Sequence, residues 1–199
     1  MSHPNWKFET LQLHAGHDID STKSRAVPIY RTSAYVFNSA EHAANLFALK
    51  ELGNIYTRLQ NPTTDVLEKR VALLEGAHEL GGLALASGTS AIFYAIINLA
   101  QAGDNIISSS NLYGGTYTQF NNILPALGIE VKFVNANNPA ETEAAIDDKT
   151  RAVFTETITN PASEVMDLEA IADLAHANGL PLIVDSTYST PHLCRPIEH

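Results

Sequence analysis

The 199 residues of this chain predict an α/β fold in which a mainly parallel sheet is flanked by helices and preceded by an extended N-terminal arm. Three observations predict it. From about Asn61 onward, short apolar runs alternate with stretches of helical period, and such runs belong to strands covered on both faces. Glycine or a capping residue marks most of the boundaries. Upstream, residues 1–40 scatter Pro, His and polar residues with no sustained period, so this segment reads as an arm lying on another surface.

Taken in order, residues 40–52 form the arm's one helix, with Ala43, Ala44, Phe47 and Ala48 on a single face. Pro62-Thr63-Thr64 leads into a helix with acid in its first turn, a stripe of Leu67, Val71 and Leu74, and a stop at Gly76. Gly82-Leu83-Ala84-Leu85-Ala86 reads as a short buried strand, and Ser90 to Ala100 as an interior helix, apolar almost all round. Asn105–Ser109 is a strand and Thr116–Leu127 a helix stopped by Gly128. Ile129–Val134 is a strand, and Asn138-Pro139 opens a helix with Pro at its first position. Ala152–Glu156 is a strand. Asp167 caps a helix whose stripe is Leu168, Ile171, Ala172 and Ala175, and Pro181–Asp185 is the fifth strand. No repeat and no low-complexity segment interrupts the pattern.

Composition narrows the function classes. Twelve Lys+Arg against 22 Asp+Glu leave a net charge of −10 and a pI near 5.1, which offers no attraction for a nucleic-acid backbone. The uncharged stretch Leu80–Gly103 exceeds the roughly 20 residues of a membrane span. It carries Gly81-Gly82, Ser87-Gly88-Thr89-Ser90, Asn98 and Gln101, so strand, turn and helix explain it better. No apolar signal region opens the chain, and Cys194, the single cysteine, makes no internal disulfide; the expected compartment is the cytoplasm. Length suits one domain. Neither G-x-G-x-x-G nor G-x-x-x-x-G-K-[ST] occurs. His14 and His17 lack a third ligand, so no metal site is expected.

In parallel sheets ligands sit beyond the carboxyl ends of the strands, so the residues after each strand carry the functional information. Ser87-Gly88-Thr89-Ser90 opens directly into a helix, where small residues and helix-end N–H groups suit an anion; a capped helix behind a tight turn reads equally from these residues alone. Tyr113-Gly114-Gly115 puts an aromatic ring where it could stack on a planar ligand, beside the plainer reading of a packed tyrosine. Asn160-Pro161 offers an amide, or simply a turn. Asp185-Ser186-Thr187 ends a buried strand with a carboxylate, which is costly unless a positive group meets it: a metal ion, a basic side chain or a protonated ring nitrogen. In the arm, Tyr56 and Arg58 lie two apart on an extended segment and so point the same way. Together they make either a phosphate clamp or a surface ion pair.

Assembled, these pieces are a phosphate cradle, a stacking aromatic, a polar donor and a carboxylate facing a ring nitrogen, the protein half of a pyridoxal 5'-phosphate (PLP) site. The sequence resembles the Cys/Met-metabolism PLP-dependent enzymes, of aspartate-aminotransferase-like fold type I. The resemblance runs through Pro28–Phe37, Glu41–Phe47, Tyr56-Thr57-Arg58, Asn61-Pro62-Thr63-Thr64, Leu112–Thr116 and Ile183–Thr187. Glu41–Phe47 favours the branch that acts on O-acetylhomoserine, the sulfhydrylases.

The resemblance implies roles. Tyr56 and Arg58 hold the phosphate of a neighbouring subunit's cofactor, while Gly88 and Thr89 donate backbone N–H groups to it within their own subunit. Tyr113 stacks on the ring, Asn160 contacts its phenolic oxygen, Asp185 pairs with its nitrogen, and Thr187 neighbours the ring; Tyr113 and Asp185 are the catalytic pair. It also implies a transferase of methionine biosynthesis that joins O-acetylhomoserine to sulfide or a thiol, working as a homo-oligomer, a dimer of dimers. The expected division is an arm, residues 1–60, serving the neighbouring site, and a PLP-binding domain, residues 61–199. Ser186 and Thr159 stand where the family often has Asn and Gly. The family's Schiff-base lysine is expected beyond Asp185; Lys7, Lys23, Lys50, Lys69, Lys132 and Lys149 sit at none of the strand ends, so the sequence reads as an N-terminal part. A cystathionine or methionine γ-lyase, and a non-catalytic N-terminal fragment, remain as alternatives.

Overall fold

Four parallel strands carry the second part of the chain: β1 (Asn105–Ser109), β2 (Glu130–Val134), β3 (Thr150–Glu156) and β4 (Leu182–Asp185), in the order β2-β1-β3-β4. The computed structural model describes residues 5–199, so the first four residues of the expected arm lie outside it. The described residues divide into two compact units, one ending at Ala84 and the other spanning Leu85–His199, where length alone pointed to one domain. The boundary expected at residue 60 is of another kind, since it was defined by service to a neighbouring subunit.

The sheet of the second unit is buried on both faces, as continuous apolar strands require. Successive residues of a strand point to opposite sides, and the core divides accordingly. Ile106 and Phe154 join Ile92, Ile96, Phe120 and Leu124 on one face. Ile107 and Val153 join Leu168, Ile171 and Ala175 on the other. Phe120 and Phe154 meet edge to face, with centroids 4.9 Å apart. The stripe expected on α8 (Leu168–Ala177) is buried throughout, and Asp167 caps that helix by accepting from Ala170 N–H. Helix α7 (Pro139–Ala145) starts with Pro139, as expected.

Several expected elements differ. Helix α4 runs Gly88–Leu99 and buries Ile92 and Ile96, while Tyr94 and Leu99 face solvent, so one face rather than the whole helix is interior. The expected helix 116–127 is α5 (Gly114–Thr118), a π-helical turn (Gln119–Ile123) and α6 (Leu124–Ala126). The expected strand 82–86 does not form, which makes Pro181–Asp185 the fourth strand rather than the fifth. Ala84 N–H is taken by Glu68 Oε1 at 2.8 Å, and Leu83 is 76% exposed. At Gly82 a Cβ would stand 2.4 Å from the Glu68 carbonyl oxygen, so this backbone is pressed onto a helix instead of a sheet.

In the first unit, helices α1 (Phe8–His14), α2 (Ala40–Phe47) and α3 (Pro62–Glu75) stand among irregular segments. The period-free arm thus contains a helix, α1, that its sequence did not announce. Helix α2 ends five residues early and turns Leu46 inward, leaving Phe47 67% exposed. On α3, Ala72 is buried and Leu67 is 55% exposed, so the expected stripe is not the buried face. Asn61 caps α3 by accepting from Thr63 N–H at 2.9 Å, and Gly76 closes it in the left-handed region. Asn61 and Thr63 also grip the segment before them. Asn61 Nδ2 donates to the Tyr30 carbonyl at 2.9 Å, and Thr63 Oγ1 donates to the Pro28 carbonyl at 2.8 Å.

Candidate active site

A cavity of about 270 Å³ opens at the carboxyl ends of the strands in the second unit, where α/β sheets place ligands. Gly88 and Thr89, Tyr113, Asn160, Asp185 and Thr187 all line it, together with Ile92, Thr116, Glu156, Ile158 and Tyr188. Six of the residues singled out from sequence are therefore brought to one place. They come from the first turn of α4, from the segments that follow β1 and β3, and from the end of β4 and the residues after it.

Each is held by local structure. Ser87 caps α4, its Oγ accepting from Ser90 N–H at 3.1 Å. The N–H groups of Gly88 and Thr89, in the first turn, have no acceptor within the helix. An ideal Cβ on Gly88 would meet nothing within 4 Å, so there is open space beside those donors. Tyr113 stands half exposed, with its ring laid over the next turn; a Cβ on Gly115 would come within 2.6 Å of Tyr113 Cε1. Gly115 is thus required by the ring's position. Asp185 accepts from Thr187 N–H at 2.9 Å, and the Thr187 hydroxyl donates to the same oxygen, Oδ1. Thr187 therefore orients the carboxylate.

Sequence reasoning missed Glu156. It is only 4% exposed, it ends β3, and it lies directly beside Asp185 in the parallel register. Its Oε1 accepts from Tyr113 N–H at 2.7 Å and its Oε2 from Asn160 N–H at 3.0 Å. Burial pushes its carboxyl above the usual range and the charge of Asp185 adds to this, while the two N–H donors pull the other way. A signal for it was present: Ala152–Glu156 is a buried apolar strand closed by a carboxylate, the same pattern that singled out Asp185. Gln119 was missed too. Its Nε2 reaches the Thr89 carbonyl at 3.4 Å from the π-helical turn, and nothing in the sequence marks that turn.

The lining contains two carboxylates and no Lys or Arg. A helix N-terminus that favours an anion and a half-buried carboxylate that can pair with a cation therefore face the same space. A planar cation with an anionic tail satisfies both. Among the described residues, no group of three or more His, Cys, Asp or Glu side chains gathers as metal ligands, and both oxygens of Glu156 are already engaged.

Tyr56 and Arg58 belong to the first unit and are brought together there, with the guanidinium carbon 5.4 Å from the ring centroid. Their segment is a turn rather than the extended run expected. The N–H groups of Leu59 and Gln60 return to the Tyr56 carbonyl, and Tyr56 itself bridges Ala34.

The sequence profile of the Cys/Met metabolism PLP-dependent enzymes matches residues 9–199. The chain is 57% identical to O-acetyl-L-homoserine sulfhydrylase 1 of Thermus thermophilus over 194 residues, 96% of this chain and 46% of that protein. Among solved structures it superposes with a TM-score of 0.93 and 42% identity on a chain assigned as O-acetylhomoserine (thiol)-lyase from Campylobacter jejuni, which carries N'-pyridoxyl-lysine-5'-monophosphate, covering 98% of this chain and 48% of that one. Cystathionine gamma-lyase from Lactobacillus plantarum, complexed with L-serine, gives a TM-score of 0.87 at 34% identity, covering 97% and 48%. The chain spans under half the length of the curated relatives it matches.

Proposed function

This chain belongs to the Cys/Met metabolism PLP-dependent enzyme family, and on that premise we propose that it forms the ring-holding part of an O-acetylhomoserine sulfhydrylase. The whole protein would exchange the acetate of O-acetylhomoserine for sulfide or a thiol, giving homocysteine in methionine biosynthesis. The observation that carries the ring-holding part of this reading is the carboxylate of Asp185, oriented by Thr187 on a cavity whose other wall is the first turn of α4; the likeness to O-acetylhomoserine sulfhydrylases supports the substrate. When bound, PLP supplies a protonated heterocycle that accepts the electron pair left when a proton leaves carbon.

The chain's own residues divide that work. Gly88 and Thr89 bind the phosphate through first-turn N–H groups, where the helix dipole favours negative charge. Tyr113 stacks on the ring face. Asp185, half-buried at the end of β4, where the sequence alone predicts a buried strand end, holds the ring nitrogen's proton, the protonated nitrogen serving as its counter-charge. Asn160 contacts the phenolic oxygen. Tyr56 and Arg58 clamp the phosphate in a neighbouring subunit, the planar fork of Arg suiting phosphate oxygens. In this proposal residues 1–60 are the exchanged arm, residues 61–199 belong to the PLP-binding domain, and the assembly is a dimer of dimers in the cytoplasm. The lysine that anchors the cofactor comes from a part of the whole protein outside these residues.

The exposed apolar side chains of the first unit support the clamp in trans. Val36 is 96% exposed, and Phe47 and Leu67 also face solvent, apolar side chains that a neighbouring subunit would cover in this reading. The likeness to a cystathionine gamma-lyase supports a second reading, elimination, which would use the same ring-holding residues. Supplying the whole protein with O-acetylhomoserine and sulfide separates the two. Release of homocysteine is the expected result; release of an α-keto acid instead would assign elimination, and neither product would overturn both.

A further inference from the structure

We propose that Glu156 is a positioning residue for the bound ring, its two carboxylate oxygens holding the backbones of Tyr113 and Asn160 in place around the end of β3. The inference rests on the PLP reading above and deepens it. Tyr113 follows β1, Asn160 follows β3 and Asp185 ends β4. Glu156 touches the first two through hydrogen bonds of 2.7 and 3.0 Å and lies opposite the third in the ladder. One side chain therefore links the residue that stacks on the ring, the residue that meets its phenolic oxygen and the strand end that meets its nitrogen.

A carboxylate is the side chain this geometry demands. Two converging N–H donors need two acceptor oxygens, and only an ionised carboxylate offers both. A glutamine would satisfy one and turn its own N–H₂ toward the other. The chain places a carboxyl group here although the site is almost wholly buried and Asp185 adds like charge. A role confined to filling space would be met more cheaply by a neutral side chain. What the carboxylate adds is the relative placement of the Tyr113 and Asn160 segments, which are distant in the sequence, and this is the precision a binding constellation needs from its supporting shell.

The test uses the whole protein with Glu156→Gln and Glu156→Asp. The Gln variant keeps size and one acceptor; the Asp variant keeps both acceptors on a stem one methylene shorter. The readouts are PLP affinity, the circular dichroism of bound PLP in the visible range, and amide exchange at Tyr113 and Asn160 in the cofactor-free protein. In the Gln variant we expect PLP to bind about tenfold more weakly, with altered visible dichroism and at least one of the two amides exchanging faster. The Asp variant should fall between this and wild type, and it carries the test if the Gln variant does not fold. Wild-type affinity and dichroism in both variants, even with a lowered Tm, would overturn the inference and leave Glu156 a packing group. If wild type itself takes up no PLP, the parent reading fails and takes this one with it.

Discussion

The two ends of one parallel sheet treat their carboxylates in opposite ways. At the amino end, Asp147 accepts from Lys132 Nζ at 2.6 Å and from Asn105 Nδ2 at 2.8 Å, and Thr150 Oγ1 donates to Asn105 Oδ1 at 2.8 Å. Lys132, followed by Asn105 and the Lys149 N–H, holds the Asp147 carboxyl well below the usual carboxylate range. At the carboxyl end, Glu156 and Asp185 stand side by side on a cavity with no basic residue in its lining. Burial pushes Glu156 up instead. The first arrangement is complete within the chain; in the function proposed above, the second is completed by a cationic ring. The difference locates function better than the count of charges at either end.

The largest effect that could break this comparison is at Asp185. In the whole protein, Asp185→Ala should lower turnover by about 10³-fold, the scale for removing one preorganised electrostatic partner, and should leave PLP easily lost on dialysis. Turnover within a few-fold of wild type would place the cavity's counter-charge elsewhere.

A smaller effect is expected at Gly115, where an added Cβ meets the Tyr113 ring at 2.6 Å. Gly115→Ala should displace that ring and weaken PLP binding several-fold, with little change in Tm because Tyr113 is half exposed. Equal affinity in a binding titration would show that the ring's position does not matter to the ligand.

The smallest effect is on the pH dependence of stability, and its sign should differ between the ends. The folded-state pKa of Asp147 is lowered from 3.8, so its contribution is present above that value and is lost as pH falls through the folded pKa. For Glu156 the folded pKa is raised from 4.5. Its contribution is full below 4.5 and is lost as pH rises through the folded pKa. Urea denaturation of Asp147→Asn and Glu156→Gln across the acid range should flatten opposite limbs of the stability profile. The same limb flattened by both would remove the contrast.

Legibility followed burial. In the second unit the runs at Asn105–Ser109 and Thr150–Glu156 are buried along nearly their whole length, so hydrophobic pattern and observed strand agree, and the residues after them gather on one cavity. In the first unit Leu67, Phe47 and Val36 are apolar yet exposed. There periodicity marked faces of α2 and α3 that stay exposed in this chain, because an apolar pattern does not by itself say what covers it. The Gly82–Ala86 strand failed because Gly82 serves close approach to the Glu68 backbone and Ala84 N–H goes to the Glu68 carboxylate rather than to a ladder. Asp185 was legible as a charge closing an apolar run. Glu156 carried the same mark, but its partners are backbone N–H groups at Tyr113 and Asn160, which only the fold reveals.

The central claim is that Asp185 supplies the counter-charge for a protonated ring seated between Tyr113 and the first turn of α4. A crystal structure of the whole protein grown with PLP tests it most directly. The expected density shows the ring nitrogen within hydrogen-bond reach of Asp185 and the phosphate on the N–H groups of Gly88 and Thr89. A divalent cation on Asp185, or a cofactor seated away from this cavity, would contradict it.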